Sequence, residues 1–490
     1  MTKGVIATPH RAASEAGAQV LRDGGNAVDA AIAANAVLCV VYPHMTSIGG
    51  DLMAIVWPAG GSEPVGLIGA GRSGELATID AVRAHGHETM PERGVLTVTV
   101  PGTIEAWGRL LERFGTLGLA PLLEPAADLA RHGYVITPSL SEALKGAAGL
   151  LGREHAAQEL YPPMEGGMLL RNPDLATVLS DIGRHGIIGF YRGEVGAAIA
   201  AAIDKRAGFV TASDMATHRS QWVDTVTAGY HGLVVHQLPP PTQGLIALSL
   251  LKLLHARTPD ELRPGARFVE LFKSARDGAY SIRAGITDPD FAPFVAGTVG
   301  ADVPDGGDTV YLCAADEHGN VVSLIQSVAD DFGSGIVAEE TGILLQNRGR
   351  YFSIDPADAN RIEPRKRTRH TLIPALATRD GRPWALFGSM GGDGQPQLQT
   401  QVLINMVDHG LDPQEAVARP RIRITPDGRT VTVEASYPGA AEMSRASSDV
   451  QLLPPGHHTL GHAHAIVIDG PSSWRAGADP RSDGAVETVD

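Results

Sequence analysis

The residues best suited to covalent chemistry lie in the stretch PDGGDTVYLCAADEHGNVVSLIQ, where Thr309 opens a strand-like run directly after Gly306, Gly307 and Asp308. Strand propensity alone accounts for a threonine at such a place. Its glycine-rich approach suggests more. A hydroxyl becomes a useful nucleophile when a base takes its proton, and a threonine at a chain terminus carries such a base as its own α-amine. With an unperturbed pKa of about 7.7 to 8, that amine is deprotonated to a useful degree near neutrality. It exists only after the chain is cut before Thr309. The flexible DGGD segment would let the Asp308 carbonyl reach the Thr309 hydroxyl, so an acyl shift and hydrolysis could release the new terminus.

Other candidate chemistry is weaker. Cys39 and Cys313 sit within apolar runs, read as buried small hydrophobes, and provide no disulfide framework. His462 and His464 in GHHTLGHAHAI would share one strand face, yet no nearby Asp, Glu or Cys completes a ligand set, so no metal is expected. The basic run EPRKRTRH reads as a solvated loop in an acidic protein. GRSGEL and GSMGGDGQ lack the endings of nucleotide-binding loops, and no cofactor is expected.

The elements that would position Thr309 follow from local pattern. SEAGAQVLRDGGNAVDAAIAANAVLCVVYP reads as two helices, the first stopped at Gly24 and Gly25, the second capped by Asn26 with Asp29 in its first turn. The second is apolar on nearly every face and must be buried. Further helices fit IEAWGRLLERFG, LLEPAADLARHG and GLIALSLLKLLHA. From Thr309 the pattern turns to strands: Thr309 to Ala315 and Val321 to Ser327 flank DEHGN as a hairpin, and TLIPALAT and PWALFGS flank RDGR as another. These strands are apolar on both faces, which calls for helices over one face and a second sheet against the other.

At 490 residues the chain could hold two or three domains or one large layered core; 43% hydrophobic and 19% charged residues are those of an ordinary globular protein. A net charge of -15 opposes binding to nucleic acid or anionic membrane. The N-terminus lacks the form of a secretory signal, which sets a cytoplasmic expectation.

The stretch from DTVYLCAADEHGN to LLQNRGRYFS resembles the start of the small chain in the γ-glutamyltransferase family of N-terminal-nucleophile hydrolases. SIGGD, VPGTIEAWGRLLERFGTLGLAPLLEPAADLARHGY, PPPTQGL, DPDF, GSMGGD, DHGLDPQEAVARPR and DPRSDGA follow in the family's order. The resemblance implies an α/β fold of αββα layers, autocleavage between Asp308 and Thr309, and two chains, 1–308 and 309–490, forming one globular unit. It places Thr309 as nucleophile, Gly391 and Gly392 as the oxyanion-hole pair, and Ser327 as a positioning hydroxyl. A strand-end serine with a backbone partner is the competing reading of Ser327.

The same alignment shows a departure. Members acting on γ-glutamyl compounds must bind an ammonium, but here Arg348 and Tyr351 occupy the positions expected to receive it. A guanidinium repels an ammonium and grips a carboxylate. His370 and Thr371 replace paired serines, Ala329 replaces an asparagine, and Arg72 lies two places from the expected carboxylate-binding arginine, at Ala70. Arg348, Tyr351, Arg72, His370, Thr371 and Asn347 form the expected substrate-binding set, with Arg348 gripping the carboxylate. The sequence resembles the branch of oxamate-type amidohydrolases and cephalosporin acylases, which implies a small-molecule amide whose acyl part carries a carboxylate. A true γ-glutamyl hydrolase or transferase and an unprocessed scaffold are the alternatives, and association of cleaved protomers as a dimer stays open.

Overall fold

The computed structural model describes residues 3–295 and 307–490. Gly306 in the expected flexible approach lies outside the described residues.

Two antiparallel sheets form the centre. The first has seven strands in the spatial order Ala485–Val489, Gly4–Thr8, Asp308–Asp316, Val321–Ala329, Asp51–Trp57, Val65–Gly69 and Gln221–Asp224. The second has six, in the order Ser473–Ala478, Ala463–Gly470, Arg382–Ser389, Ala375–Arg379, Leu233–Gln237 and Val226–Tyr230. Side chains alternate along each strand. Tyr311, Cys313 and Ala315 therefore pack against Leu376, Leu386 and Ile466 between the sheets. Val310, Leu312 and Ala314 face the helices Arg11–Arg22 and Ala27–Val41 on the outer side. Ala375, Ala377 and Phe387 of the second sheet pack outward on the helices Gly244–Leu254, Ala266–Tyr280 and Gln395–Val407. The layers are thus α, β, β, α.

Local chemistry explains the boundaries. Asn26 caps its helix by accepting from the amides of Val28 and Asp29, while Asp29 accepts from the Asn26 amide, and every residue of Ala27–Val41 is buried. The hairpin between Ala375–Arg379 and Arg382–Ser389 turns at Asp380 and Gly381, both with positive φ (51° and 71°), the mirror-image turn whose twist suits paired strands. Residues 371–374 do not join that strand: the Ile373 amide donates to Gln395 Oε1 and the Thr371 carbonyl accepts from Gln243, side-chain partners that replace a ladder. Pro173–Asp204 is the one helical stretch among the described residues with the length and apolar content of a membrane span. Gly186, at φ 68°, breaks it, and Leu179, Ile182 and Phe190 pack into the core.

The run EPRKRTRH is the main correction. Lys366, Arg367 and His370 are only 1–2% exposed. Arg367 and Arg369 have partners from distant segments, and Lys366 has local ones. Arg367 is gripped by Asp288, Lys366 donates to Glu363 and to the carbonyls of Ala359 and Arg361, and Arg369 donates to the Arg283 carbonyl. From Lys366 onward the run is therefore a buried segment and not a solvated loop, with acidic partners for Lys366 and Arg367, while Arg365 stays half-exposed and pairs with Glu75.

Candidate active site

Thr309 belongs to the strand Asp308–Asp316, and the two-residue period puts its side chain on the face of Tyr311, between the sheets. It is 1% exposed, and its Oγ1 has no hydrogen-bond partner among the described residues. The partner strand bulges here. Pairing runs regularly to Gln326 opposite Val310, then shifts so that Ala329 faces Asp308. Such a bulge re-aims a side chain: Ser327 Oγ donates to the Asp308 carbonyl at 2.6 Å and accepts from the Ala329 amide at 2.7 Å. Ala329 adopts φ 84°, a strained conformation for a residue with a Cβ.

Behind Ser327 lies a buried charged group. Arg348 donates through Nη2 to Ser327 Oγ at 3.3 Å and through Nη1 to Thr371 Oγ1 at 3.1 Å. Its Nε stands 4.0 Å from Asp51, a residue paired across the sheet with Ser327. Asp51 also accepts from the Gly71 amide, Gln346 and His370 Nε2. His370 accepts the Leu372 amide at Nδ1, so the neutral imidazole carries its proton at Nε2. Burial, together with Arg348, holds His370 down at about 4 against the pull of Asp51. Burial also draws Arg348 down, with Tyr351 and Asp51 opposing.

In front of Asp308 opens a cavity of about 530 Å³, lined by Glu92, Arg93, Gly307, Asp308, Asp330, Asp331, Arg350, Met390, Gly391, Arg423, His458 and Thr459. Gly391 follows the second-sheet strand Arg382–Ser389, so the two sheets meet across this cavity. Gly391 and Gly392 take φ of 127° and 51°, and Gln243 ties the Gly392 carbonyl to that of Thr371. Burial pushes the Asp308 carboxyl up to about 7, Asp331 and Asp330 add to the shift, and Arg93 and Arg423 oppose it.

The expected site residues thus divide into groups. Ser327, Arg348, Thr371 and His370 form one connected buried network with Asp51, and Thr309 adjoins it through the Asp308 carbonyl that Ser327 holds. Arg348 itself is 1% exposed and stands behind Ser327, while Arg350, two residues on, lines the cavity. The Tyr351 ring packs under both guanidiniums, 5.3 Å from that of Arg348 and 5.6 Å from that of Arg350. Asn347 is fully buried and supports the wall, donating to Glu92 and Asp330 and accepting the Asp330 amide. Arg72 is not part of the lining; it pairs with Asp288 at 2.9 Å and Asp290 at 2.6 Å. The sequence reading did not single out Arg93, Arg350, Arg423, Asp51 or Gln243. Asp51 closes the motif SIGGD and Gln243 lies within PPPTQGL, whereas nothing local marks Arg93.

A gamma-glutamyltranspeptidase family profile matches residues 13–299 and 295–489. The chain is 35% identical to the glutathione hydrolase-like YwrD proenzyme of Bacillus subtilis (strain 168), covering 99% of this chain and 98% of that protein. It is 33% identical to an oxamate amidohydrolase proenzyme of Klebsiella pneumoniae subsp. pneumoniae, with 99% and 98% covered. The structure of a cephalosporin acylase from Bacillus halodurans superposes with a TM-score of 0.90 at 34% identity, over 99% of this chain and 96% of that one.

Proposed function

Since the chain belongs to the gamma-glutamyltranspeptidase family, and is thereby an enzyme of the N-terminal-nucleophile hydrolase and transferase type, we propose that it cleaves itself between Asp308 and Thr309 and then acts as a threonine amidohydrolase. The resulting chains are 1–308 and 309–490. The observation that carries this reading is the placement of the Asp308 carbonyl on the Ser327 hydroxyl, beside a buried Thr309 Oγ1 that has no partner among the described residues.

In turnover Thr309 Oγ attacks the substrate amide carbonyl while the new α-amine takes the hydroxyl proton. The amides of Gly391 and Gly392 receive the oxyanion, a contribution of about 2.7 to 4 kcal/mol for one such donor. The C–N bond breaks as the α-ammonium returns its proton to the leaving amine. Water then hydrolyses the ester on Thr309, and an acceptor amine in its place gives transfer.

The acyl group in this reading carries a carboxylate. Arg350 and Arg423 on the cavity wall are the groups to receive it, and Arg350 spends one N–H on Asp330. A γ-glutamyl substrate is the second reading, favoured by the carboxylates of Glu92 and Asp331 in the same wall. Intact-mass analysis of wild type beside Thr309→Ala tests the first step: two fragments against one full-length chain, with an uncleaved wild type sinking the reading. Amine release from a glutaryl anilide and its γ-glutamyl analogue tests the second, and preference for the γ-glutamyl compound would overturn the carboxylate-only assignment.

A further inference from the structure

Arg348 is poorly placed to touch a substrate. It is 1% exposed, does not line the cavity, and directs its two terminal nitrogens at two hydroxyls. One of these is Ser327, whose own proton is committed to the carbonyl that must be attacked for the chain to be cut. We infer that Arg348 is a positioning residue for self-cleavage, holding Ser327 from inside the protein and lending it charge as the Asp308 carbonyl becomes an oxyanion. This rests on the proposed cleavage before Thr309.

Thr309 Oγ bonds to the Asp308 carbonyl carbon, and the electron pair of the C=O bond moves to the oxygen that Ser327 holds. As that pair returns, the C–N bond breaks, and the hydroxyl proton ends on the departing Thr309 nitrogen as an amine. Water then adds to the ester carbon, releasing the Asp308 carboxyl and restoring the Thr309 hydroxyl.

Ser327 Oγ has one proton, given to the carbonyl, and accepts from the Ala329 amide and from Arg348. Donation into Ser327 by a cation polarises its O–H, and such chains strengthen one another in a low-dielectric interior. Thr371 and Asp51 fix the guanidinium, and His370 and Gln346 fix Asp51 in turn. The cation is therefore pre-oriented toward a charge that exists only during cleavage.

The test is a time course of fragment appearance by intact mass, using wild type, Arg348→Met, Ser327→Ala and the double variant, with folding checked by circular dichroism. Arg348→Met is expected to slow cleavage at least about tenfold, the margin by which a charge-assisted hydrogen bond exceeds a neutral one. In the Ser327→Ala background the same change should have little further effect, and added guanidinium should restore part of the rate lost in Arg348→Ala. If Arg348→Met misfolds, Thr371→Val, which loses only the second anchor, should still slow cleavage. Wild-type rates in folded Arg348→Met or Thr371→Val, or an undiminished Arg348 effect without Ser327, would overturn the inference. An uncleaved wild type would instead reject the underlying cleavage reading.

Discussion

Gly307 and Gly392 touch backbone to backbone: a Cβ on Gly307 would stand 2.8 Å from the Gly392 Cα and 3.2 Å from the Tyr351 hydroxyl. Gly307 also holds φ 114°, which side-chain-bearing residues rarely adopt. The residue before Asp308 is thereby clamped against the loop expected to form the oxyanion hole. Gly307→Ala must move either Gly392 or the Asp308 carbonyl. With about 1–2 kcal/mol of left-handed strain as the minimum cost, self-cleavage should slow by roughly tenfold. A time course of intact mass checks this, and cleavage at the wild-type rate would show that the contact yields without consequence.

Arg350 and Arg72 should differ sharply as substrate contacts. Arg350 lines the cavity, whereas Arg72 is tied to Asp288 and Asp290 away from it. Loss of a hydrogen bond to a charged group costs about 1.5–3 kcal/mol. Arg350→Met is therefore expected to raise KM for a glutaryl anilide by on the order of tenfold to a hundredfold. Arg72→Met should leave it within about twofold, because Asp288 keeps Arg367 as its partner. Steady-state kinetics on both variants decide; a large KM effect confined to Arg72→Met would reverse the assignment.

The uncleaved chain should weaken as pH rises through the range set by Asp308. Its folded-state carboxyl titrates at about 7, above the ordinary aspartate value of about 3.9. Between these values the folded form holds a proton that the unfolded form has lost, so stability is greatest below about 4 and is lost up to about 7. Melting temperatures of Thr309→Ala and Thr309→Ala/Asp308→Asn across that range should diverge, with the asparagine form gaining relative stability up to pH 7 and a constant gap above it. A gap that does not change with pH would mean that Asp308 is not strained in this way.

Elements fixed by neighbouring residues were legible in the sequence, such as the Asn26 cap with its Asp29 partner and the Asp380-Gly381 turn. Those fixed by distant partners were not. The basic run 363–370 looked solvated because its partners, Asp288, Asp51 and the Arg283 carbonyl, lie 79, 319 and 86 residues away. Arg348 and Arg350 illustrate the same limit within one turn. They belong to the 3-10 segment Arg348–Tyr351, where residues two apart point to different sides, so one guanidinium enters the buried network and the other the cavity wall.

Asp288 shows how much of the fold depends on such a distant pair. It is fully buried and accepts from the Arg367 amide, Nε and Nη2 and from Arg72. The Arg367 side chain is 3% exposed, so Asp288→Ala leaves a buried cation with Asp290 and Gln221 as its side-chain partners among the described residues. Breaking a buried pair from one side costs about 3–5 kcal/mol, whereas replacing both partners with apolar groups costs far less. Asp288→Ala should therefore lower the melting temperature clearly, and Asp288→Ala/Arg367→Met should recover part of the loss. A double variant as unstable as the single one, or more so, would show that Arg367 stabilises this region through packing rather than through its charge.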